Sequence, residues 1–254
     1  MFGGMGRSLN KSSGVSVKRA VNDGVDTGRG TVALPGSDEF KAICLSLDKR
    51  PFTYRFVKRG IDLAVSGLVI FFGFIPGVIL SLLIALDTKG TPIYSQVRVG
   101  RGGKPFKIYK FRSMVSDSDN VEKYFTPEQL EMWRSERKVD DDPRITPLGR
   151  IIRKLSIDEF PQFINVFLGQ ISIVGPRVIT YDELNHYGDD AALLLSVPQG
   201  ISGAWQCGPR NLATFENGMR QRIELDYARR STLRRDAHIF FKTFSVMFVE
   251  RTGK

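Results

Sequence analysis

The sequence predicts a helix-rich α+β fold built around one long hydrophobic segment and one short β-hairpin. Residues 63–86 contain no charged residue, and residues 91–114 combine a glycine-rich turn with alternating side chains. Stretches with helical spacing follow them. Because 42% of the 254 residues are apolar, the chain has enough apolar content for a packed core, and a wholly disordered protein is excluded.

The charge balance indicates an anionic partner. The chain has 37 Lys and Arg residues against 27 Asp and Glu residues, a formal net charge of +10. Nucleic acid, anionic lipid and a phosphorylated substrate all agree with this charge. Two cysteines exclude a disulfide framework and a cysteine-rich zinc module, and two histidines leave little room for a multi-histidine metal site. Any chemistry should therefore rest on carboxylate, arginine and lysine side chains.

Residues 1–50 lack an apolar run and begin with Gly, Ser and scattered charges. We predict that they form a mostly disordered cytoplasmic tail.

The uncharged segment is long enough to cross a bilayer. A helix over its 24 residues would be about 36 Å long, against a bilayer core of about 30 Å. The segment begins too late, and runs too long, for a secretory signal peptide. Pro76 lies near its middle between Gly73 and Gly77, and proline tends to kink a helix. Basic residues flank the segment on both sides, which favours a hairpin that returns to the same face, whereas a spanning helix usually has them on one side. The residues alone leave a re-entrant hairpin and a single-pass anchor both open.

Local patterns predict the remaining elements. The GRGG turn and the alternation in FKIYKFRSM predict a β-hairpin within residues 91–114. The other predicted elements, in chain order, are a helix start at residues 126–128, a helix from Ile151, an amphipathic helix over 156–169, an extended run ending at Gly175, a turn-rich loop over 199–211, and helices over 214–230 and 236–249.

Asp158 and Glu159 are the candidates for catalysis. Two structural alternatives account for them equally well on spacing. Ser156 and Glu159 fit a capping box, in which Glu159 reaches back to the Ser156 N–H. If Asp158 is the N-cap instead, Pro161 falls at the third helical position, where it is tolerated. Capping and catalysis both stay open at this point.

Basic residues before and after this pair favour a phosphate site. Arg150, Arg153 and Lys154 precede it, and Pro176 and Arg177 follow it. Arginine forks match phosphate oxygens, and a carboxylate beside a divalent cation can attack phosphorus. Mg²⁺ takes one or two carboxylates together with substrate phosphates and water. Each arginine taken singly is equally well explained as a solvated surface residue or a contact to a lipid headgroup.

From about Arg55 to the C-terminus the sequence resembles the bacterial sugar transferases, the monotopic phosphoglycosyl transferases that start exopolysaccharide, capsule and O-antigen assembly. The runs that carry the resemblance are KRGIDLAVSG, TPIYSQVRVGRGGKPFKIYKFRSM, DPRITPLGRIIRKLSIDEFPQFINVFLGQISIVGPR and PQGISGAWQCGPRN. They cover roughly 200 residues in the family's order. The third run is long and specific, unlike a four-residue motif.

The resemblance implies a monotopic membrane protein. After the tail over residues 1–50, which the residues alone predict, it implies a re-entrant membrane helix over 51–90, broken at Pro76, and a cytoplasmic catalytic domain over 91–254 that contains the short β-hairpin. The implied location is the cytoplasmic face of the bacterial inner membrane. There the protein would contact lipid headgroups and bind no nucleic acid, and a homodimer is left open.

The resemblance also implies a reaction. Asp158 is the nucleophile that attacks the β-phosphate of a UDP-sugar, releases UMP and forms a phosphosugar-aspartyl intermediate, and undecaprenyl phosphate then accepts the sugar phosphate. Glu159, with Asp158, binds Mg²⁺. The residues implied in substrate binding are Arg153, Pro176, Arg177 and Arg210. Lys110 and Arg112 are added to them as hypotheses. Val178 departs from the family pattern, which has a second proline there.

The sugar is expected to be glucose or galactose, by analogy alone. The alternative function is that of a single-pass, membrane-anchored protein without enzymatic activity that carries a basic cytoplasmic domain. A nucleic-acid binder would explain the net charge, but much of the basic charge flanks the apolar segment, and the sequence contains no recognised binding motif.

Overall fold

The computed structural model describes residues 25–26, 32–136, 139, 141–209 and 212–246. Within this part of the chain, the α-helices are α1 Asp38–Leu47, α2 Phe52–Thr88, α3 Val121–Tyr124, α4 Pro127–Glu136, α5 Pro147–Lys154, α6 Gln162–Phe167, α7 Tyr181–Leu184, α8 Ala191–Leu194, α9 Met219–Arg229 and α10 Leu233–Ser245. Short 3₁₀ helices lie at Arg101–Gly103, Ile157–Glu159 and Asn185–Asp190. The strands are β1 Val25–Asp26, β2 Val32–Ala33, β3 Ile93–Val99, β4 Pro105–Phe111, β5 Ser172–Val174 and β6 Gly200–Ser202. The predicted helix-rich fold is confirmed.

The predicted β-hairpin is formed by β3 and β4, which make a two-stranded sheet. At its turn the Gly100 N–H donates to the Lys104 carbonyl at 2.7 Å, and at its open end the Arg112 N–H donates to the Pro92 carbonyl at 2.8 Å. Gly102 and Gly103 have φ of 70° and 78°, which side chains rarely adopt. The GRGG sequence therefore marks the turn, as the pattern predicted.

The chain divides into two compact units that interleave along the sequence. The first unit comprises Met1–Arg55, Val97–Phe106 and Gln170–Phe240, and the second comprises Phe56–Gln96, Lys107–Gly169 and Phe241–Lys254. The chain passes between the units within the β3–β4 hairpin, among other places, so that neither unit is continuous in sequence. The division into a tail, a membrane segment and a catalytic domain, with boundaries after residues 50 and 90, stays a prediction.

The core of the first unit includes part of the predicted tail. Phe40 and Cys44 of α1 are buried together with Val99, Ile179 and Leu194. Ser37 caps this helix, because its hydroxyl accepts a hydrogen bond from the Phe40 N–H. The prediction of a disordered tail is therefore wrong for residues 32–50, where α1 buries two apolar side chains in this core. Most of the remaining tail, residues 1–24 and 27–31, lies outside the described residues.

Strands β5 and β6 pair in parallel in the first unit, with Ser172 opposite Gly200 and Val174 opposite Ser202. The strand ending before Gly175 was predicted, but β6 falls where the sequence predicted only a turn-rich loop. Gly175 explains how the two strands approach, because a Cβ on it would lie 2.4 Å from the Pro198 carbonyl oxygen. A strand of three residues in a glycine-rich run leaves no alternating pattern to detect.

Helix α2 is the long apolar helix of the second unit. It runs for 37 residues without interruption and includes Pro76. It is long and apolar enough to cross a membrane, and only 6% of its most apolar window is buried within the protein. The helix continues on both sides of Pro76, where proline removes a single backbone hydrogen bond. The break at Pro76 and the re-entrant course stay predictions.

One side of α2 packs closely on the rest of the second unit. A Cβ at Gly73 would lie 1.9 Å from the ring of Phe160, so the absence of a side chain makes room for that ring. Further along, Ile84 is buried against Phe111 and Ile152. Near its start, Arg59 donates hydrogen bonds to the Val166 and Phe167 carbonyls at the C-terminal end of α6, at 2.7 and 2.8 Å.

Helix α6 buries polar side chains and exposes several apolar ones. The apolar spacing over 156–169 predicted only an amphipathic helix. In the structure Gln162 and Asn165 are buried, whereas Ile164, Phe167 and Leu168 are exposed. An amphipathic pattern identifies two faces of a helix, but which face turns inward depends on the surroundings.

Several helix boundaries differ from the sequence prediction. Helix α5 begins at Pro147, not at Ile151, because the Thr146 hydroxyl accepts the Gly149 N–H and proline suits the first helical position. Helix α9 begins at Met219, not at residue 214, because Gly218 has a φ of 69°. The predicted start of α4 at Pro127 is confirmed.

Gly149 should be essential to the packing of α5. A Cβ at this position would lie 2.0 Å from the Ser113 carbonyl oxygen, which is backbone and has little freedom to move. We expect Gly149→Ala to destabilise the fold by about 1–3 kcal/mol. Gly60→Ala in α2 is the matched control, because nothing lies within 4 Å of its Cβ position and alanine favours a helix by about 0.5–1 kcal/mol.

Thermal unfolding in detergent measures both variants. A lower Tm for Gly149→Ala and an equal or higher Tm for Gly60→Ala are expected. Equal Tm values for Gly149→Ala and the wild type would contradict the described packing of α5.

Candidate active site

The Asp158–Glu159 pair lies in a tight reversal between two helices. After α5, Ser156 adopts a left-handed conformation with φ of 55°, and a 3₁₀ turn over Ile157–Glu159 follows. The Ser156 side chain makes no cap hydrogen bond at this turn. Pro161, not Asp158, precedes the first residue of α6. Neither capping alternative is therefore formed in the structure, which leaves both carboxylates for another role.

Lys110 of β4 meets both carboxylates. Its Nζ lies 2.9 Å from Glu159 Oε1 and 3.9 Å from Asp158 Oδ2. The side chain of Asp158 is 17% exposed, compared with 34% for Glu159 and 30% for Lys110. One ammonium group thus faces two carboxylates of unequal burial, and Asp158 is the deeper one.

The surroundings of Asp158 act on its pKa in opposite directions. Burial raises the pKa of this carboxyl above its ordinary value, because it disfavours the charged form. The positive charge of Lys110 lowers the pKa, the neighbouring Glu159 raises it, and Arg153 lowers it. The net shift is upward. Asp158 is therefore a partly desolvated carboxyl group that two cations help to keep charged.

Arg153 is held beside this carboxyl by the preceding helix. Its Nε donates a hydrogen bond to the Ser113 hydroxyl at 2.8 Å. Burial lowers its pKa, and the negative charges of Asp158 and Asp142 act against that effect. The arginine that was predicted from sequence thus belongs to the electrostatic surroundings of Asp158. Its partner Ser113 was missed, because a single serine after a strand carries no distinguishing pattern.

The structure brings together Asp158, Glu159, Lys110 and Arg153 of the predicted site residues, all in the second unit. Arg112 is in the same unit, but its described contacts lie elsewhere: its guanidinium donates to the Thr91 carbonyl at 2.7 Å and to the Thr91 hydroxyl at 2.9 Å. That guanidinium also lies over the ring of Tyr94. Arg112 therefore stabilises the start of the hairpin.

Pro176 and Arg177 belong to the first unit. The Pro176 carbonyl accepts the Gly200 N–H at 2.8 Å, and the Arg177 N–H donates to Glu224 at 3.3 Å. Glu224 is buried, and burial raises its pKa. Val178, at the family's usual proline position, is also buried. Arg210 lies outside the described residues.

The acidic pair fits a divalent cation only together with a substrate. In the part of the chain that the structure describes, no group of three or more His, Cys, Asp or Glu side chains is arranged to hold a metal. Two adjacent carboxylates nevertheless match the donor set of Mg²⁺, which draws its remaining ligands from phosphates and water. The Lys110 ammonium faces both carboxylates, so this pair of acids already has one positively charged neighbour.

The sequence is similar to a known protein family and to several of its members. The profile of the family described as bacterial sugar transferase matches residues 53–250. The chain is 40% identical over 198 residues to undecaprenyl-phosphate galactose phosphotransferase of Salmonella typhimurium, covering 76% of this chain and 40% of that protein. It is 34% identical over 197 residues to the exopolysaccharide production protein ExoY of Rhizobium meliloti, covering 76% of this chain and 86% of that protein.

A third relative has a different sugar in its name. UDP-N-acetylgalactosamine-undecaprenyl-phosphate N-acetylgalactosaminephosphotransferase of Aeromonas hydrophila is 35% identical over 196 residues, which are 75% of this chain and 43% of that protein. The chain thus spans less than half the length of the Salmonella and Aeromonas relatives and most of the length of ExoY. Because the family profile covers most of the sequence and includes every residue of the acidic site, the chain belongs to the bacterial sugar transferase family.

Proposed function

We propose that this protein transfers a sugar 1-phosphate from a UDP-sugar to undecaprenyl phosphate and releases UMP, as the first step of exopolysaccharide, capsule or O-antigen synthesis. One observation carries the proposal: Asp158 is a partly buried carboxylate beside two cations, and it serves no helix cap. The names of the relatives support it, since they include undecaprenyl-phosphate phosphotransferases and an exopolysaccharide production protein.

The reaction has two steps on one carboxylate. In the first, an Asp158 oxygen attacks the β-phosphorus of the UDP-sugar, and the bond to the bridging oxygen breaks, so that UMP leaves with that oxygen. In the second, a phosphate oxygen of undecaprenyl phosphate attacks the same phosphorus, and the bond to Asp158 breaks. The product is undecaprenyl-diphosphate-sugar, and the carboxylate is regenerated. A covalent intermediate allows a soluble donor and a lipid acceptor to use one site in turn.

The charges around Asp158 suit each step. The phosphorus carries negatively charged oxygens that repel an attacking carboxylate, and Lys110 and Arg153 offset this repulsion. Glu159 and Asp158 would hold Mg²⁺. When bound, this ion would neutralise part of the negative charge of the phosphates. Glu159 also contacts Lys110 and so keeps this ammonium beside the nucleophile. Arg177 and Arg210, with Pro176, are proposed to contact the donor.

The lipid acceptor explains why the protein needs a membrane-inserted segment. Each CH₂ group of a polyprenyl tail that leaves the bilayer costs about 0.8 kcal/mol, so the catalytic carboxylate must reach the phosphate at headgroup depth. Helix α2, with its apolar side chains exposed, supports insertion into the bilayer. We propose that it enters and returns by the cytoplasmic face with a bend at Pro76, since basic residues flank it on both sides. Galactose or glucose is the proposed sugar.

The proposed function is tested by UMP release from a panel of UDP-sugars in nanodiscs, with and without undecaprenyl phosphate and Mg²⁺. We expect repeated turnover only when both are present. We expect Asp158→Asn to lower turnover by at least about 10³-fold, because an amide cannot form the acyl phosphate. Asp119→Asn is the matched control, since Asp119 is an exposed acid of the same unit.

Equal activity of Asp158→Asn and the wild type would rule out Asp158 as the nucleophile. A folded protein that releases no UMP from any donor would favour the alternative of an anchored protein without enzymatic activity.

Lys110 should matter far more than a lysine in a surface ion pair. We expect Lys110→Met to lower the turnover of UMP release roughly 10- to 100-fold, because the nucleophile and the phosphate lose a cation that both need. Lys123→Met is the control: Lys123 also pairs with a carboxylate, Asp117 at 2.6 Å, but the pair is exposed and contributes little. Steady-state kinetics with saturating donor measures both variants. Comparable losses in the two variants would remove Lys110 from the site.

A further inference from the structure

We propose that Asn165 is a positioning residue of this site: its side-chain amide fixes the strand that carries Lys110 against the helix that follows Asp158 and Glu159. The inference rests on the proposed function and adds to it a residue that acts through the position of Lys110. It starts from a fully buried amide, 0% exposed, on a short helix.

Both the oxygen and the nitrogen of the Asn165 side-chain amide form hydrogen bonds with the backbone of β4. Its Nδ2 donates to the Lys107 carbonyl at 2.7 Å, and its Oδ1 accepts the Tyr109 N–H at 3.1 Å. Neighbouring residues of a strand direct their backbone groups to opposite edges. Because the Arg112 N–H points to Pro92 beside β3, the backbone groups of Lys107 and Tyr109 point to the edge away from β3. The amide therefore satisfies the free edge of β4, as a neighbouring strand would.

This contact decides where the Lys110 ammonium can reach. Lys110 directly follows Tyr109, whose N–H Asn165 accepts. Asn165 itself lies six residues after Glu159, on the helix that continues from the acidic turn. The amide thus joins the two segments that supply the cation and the carboxylates, and a shift of β4 along α6 would carry Lys110 away from them.

A second contact between the same segments cannot set this register. Phe111, next to Lys110, stacks on Phe160, next to Glu159, with ring centroids 6.3 Å apart and planes 7° apart. Stacked rings hold two segments together but slide over one another at little cost, because the attraction is not directional. A pair of hydrogen bonds to one amide is directional, and leaving either partner unsatisfied in the interior is costly. The ring pair therefore holds the two segments together, and the hydrogen bonds of Asn165 fix the position of β4 along α6.

The test is a double-mutant cycle between Asn165→Asp and Lys110→Met, measured as turnover of UMP release at saturating donor. Asn165→Asp keeps the size of the side chain and the acceptor for Tyr109, but it puts an oxygen opposite the Lys107 carbonyl. We expect it to lower turnover roughly 10- to 100-fold in the wild-type background, since misplacement of about 1 Å has effects of this size. In the Lys110→Met background we expect a loss below about threefold, because the group that Asn165 positions is gone.

Val166→Ala is the control for a structural effect. Val166 is the next residue of α6, is equally buried at 0% exposed, and has no side-chain amide. Its loss of turnover should be the same in both backgrounds. If Asn165→Asp does not fold, Asn165→Ala replaces it in the cycle, because water can then reach the two backbone groups.

An equal fold-loss for the Asn165 variant in both backgrounds would overturn the inference and leave the proposed function intact. A wild-type protein that releases no UMP would overturn the proposed function first, and the positioning role with it. Hydrogen exchange of the Tyr109 amide in Asn165→Ala gives a readout without substrate: this variant has no acceptor for the Tyr109 N–H and should lose protection there, and full protection would contradict the contact.

Discussion

The contact of one ammonium group with two carboxylates is the interaction on which the described site depends. Two adjacent acids in a partly buried turn repel one another, and burial opposes ionisation of Asp158 in addition. Lys110, at 2.9 Å from Glu159 and 3.9 Å from Asp158, offsets both effects. Without this cation only Arg153 would offset the negative charge of the partly buried turn, and uncompensated charge is costly in a protein interior. The position of the lysine therefore affects how readily Asp158 can act as a nucleophile.

The rest of the second unit holds that contact in place. Strand β4 supplies the lysine, and α5 supplies Arg153 through its bond to Ser113. The acidic turn itself is confined from the side of α2, where Gly73 makes room for the ring of Phe160. These elements are far apart in sequence, so the site exists only once the long helix, the hairpin and the acidic turn have packed. A change at Gly73 or Gly149 can thus impair the site without touching a charged residue.

Local patterns predicted the parts of the fold and site that depend on local chemistry. The alternation around Lys110 predicted the hairpin, and the acidic pair itself identified Asp158 and Glu159, because both signals lie within a few residues. Burial of Asn165 was not predicted, since its partners on β4 lie more than fifty residues earlier. The apolar spacing of α6 leaves Asn165 off the apolar face and does not show whether that position is buried. The exposure of apolar side chains on α6 was not predictable for the same reason. A helix pattern shows which residues share a face, whereas the neighbouring elements decide which face is buried.

The most direct test of the central claim is whether Asp158 becomes covalently modified by the donor alone. The protein would be mixed with Mg²⁺ and a UDP-sugar that it uses, in the absence of undecaprenyl phosphate, and its intact mass would be measured after a rapid quench, followed by peptide mapping. The account predicts a mass increase of one sugar phosphate on the peptide that contains Asp158, formed with one equivalent of UMP. An unmodified protein under conditions where added acceptor yields product, or a sugar phosphate on another residue, would contradict it.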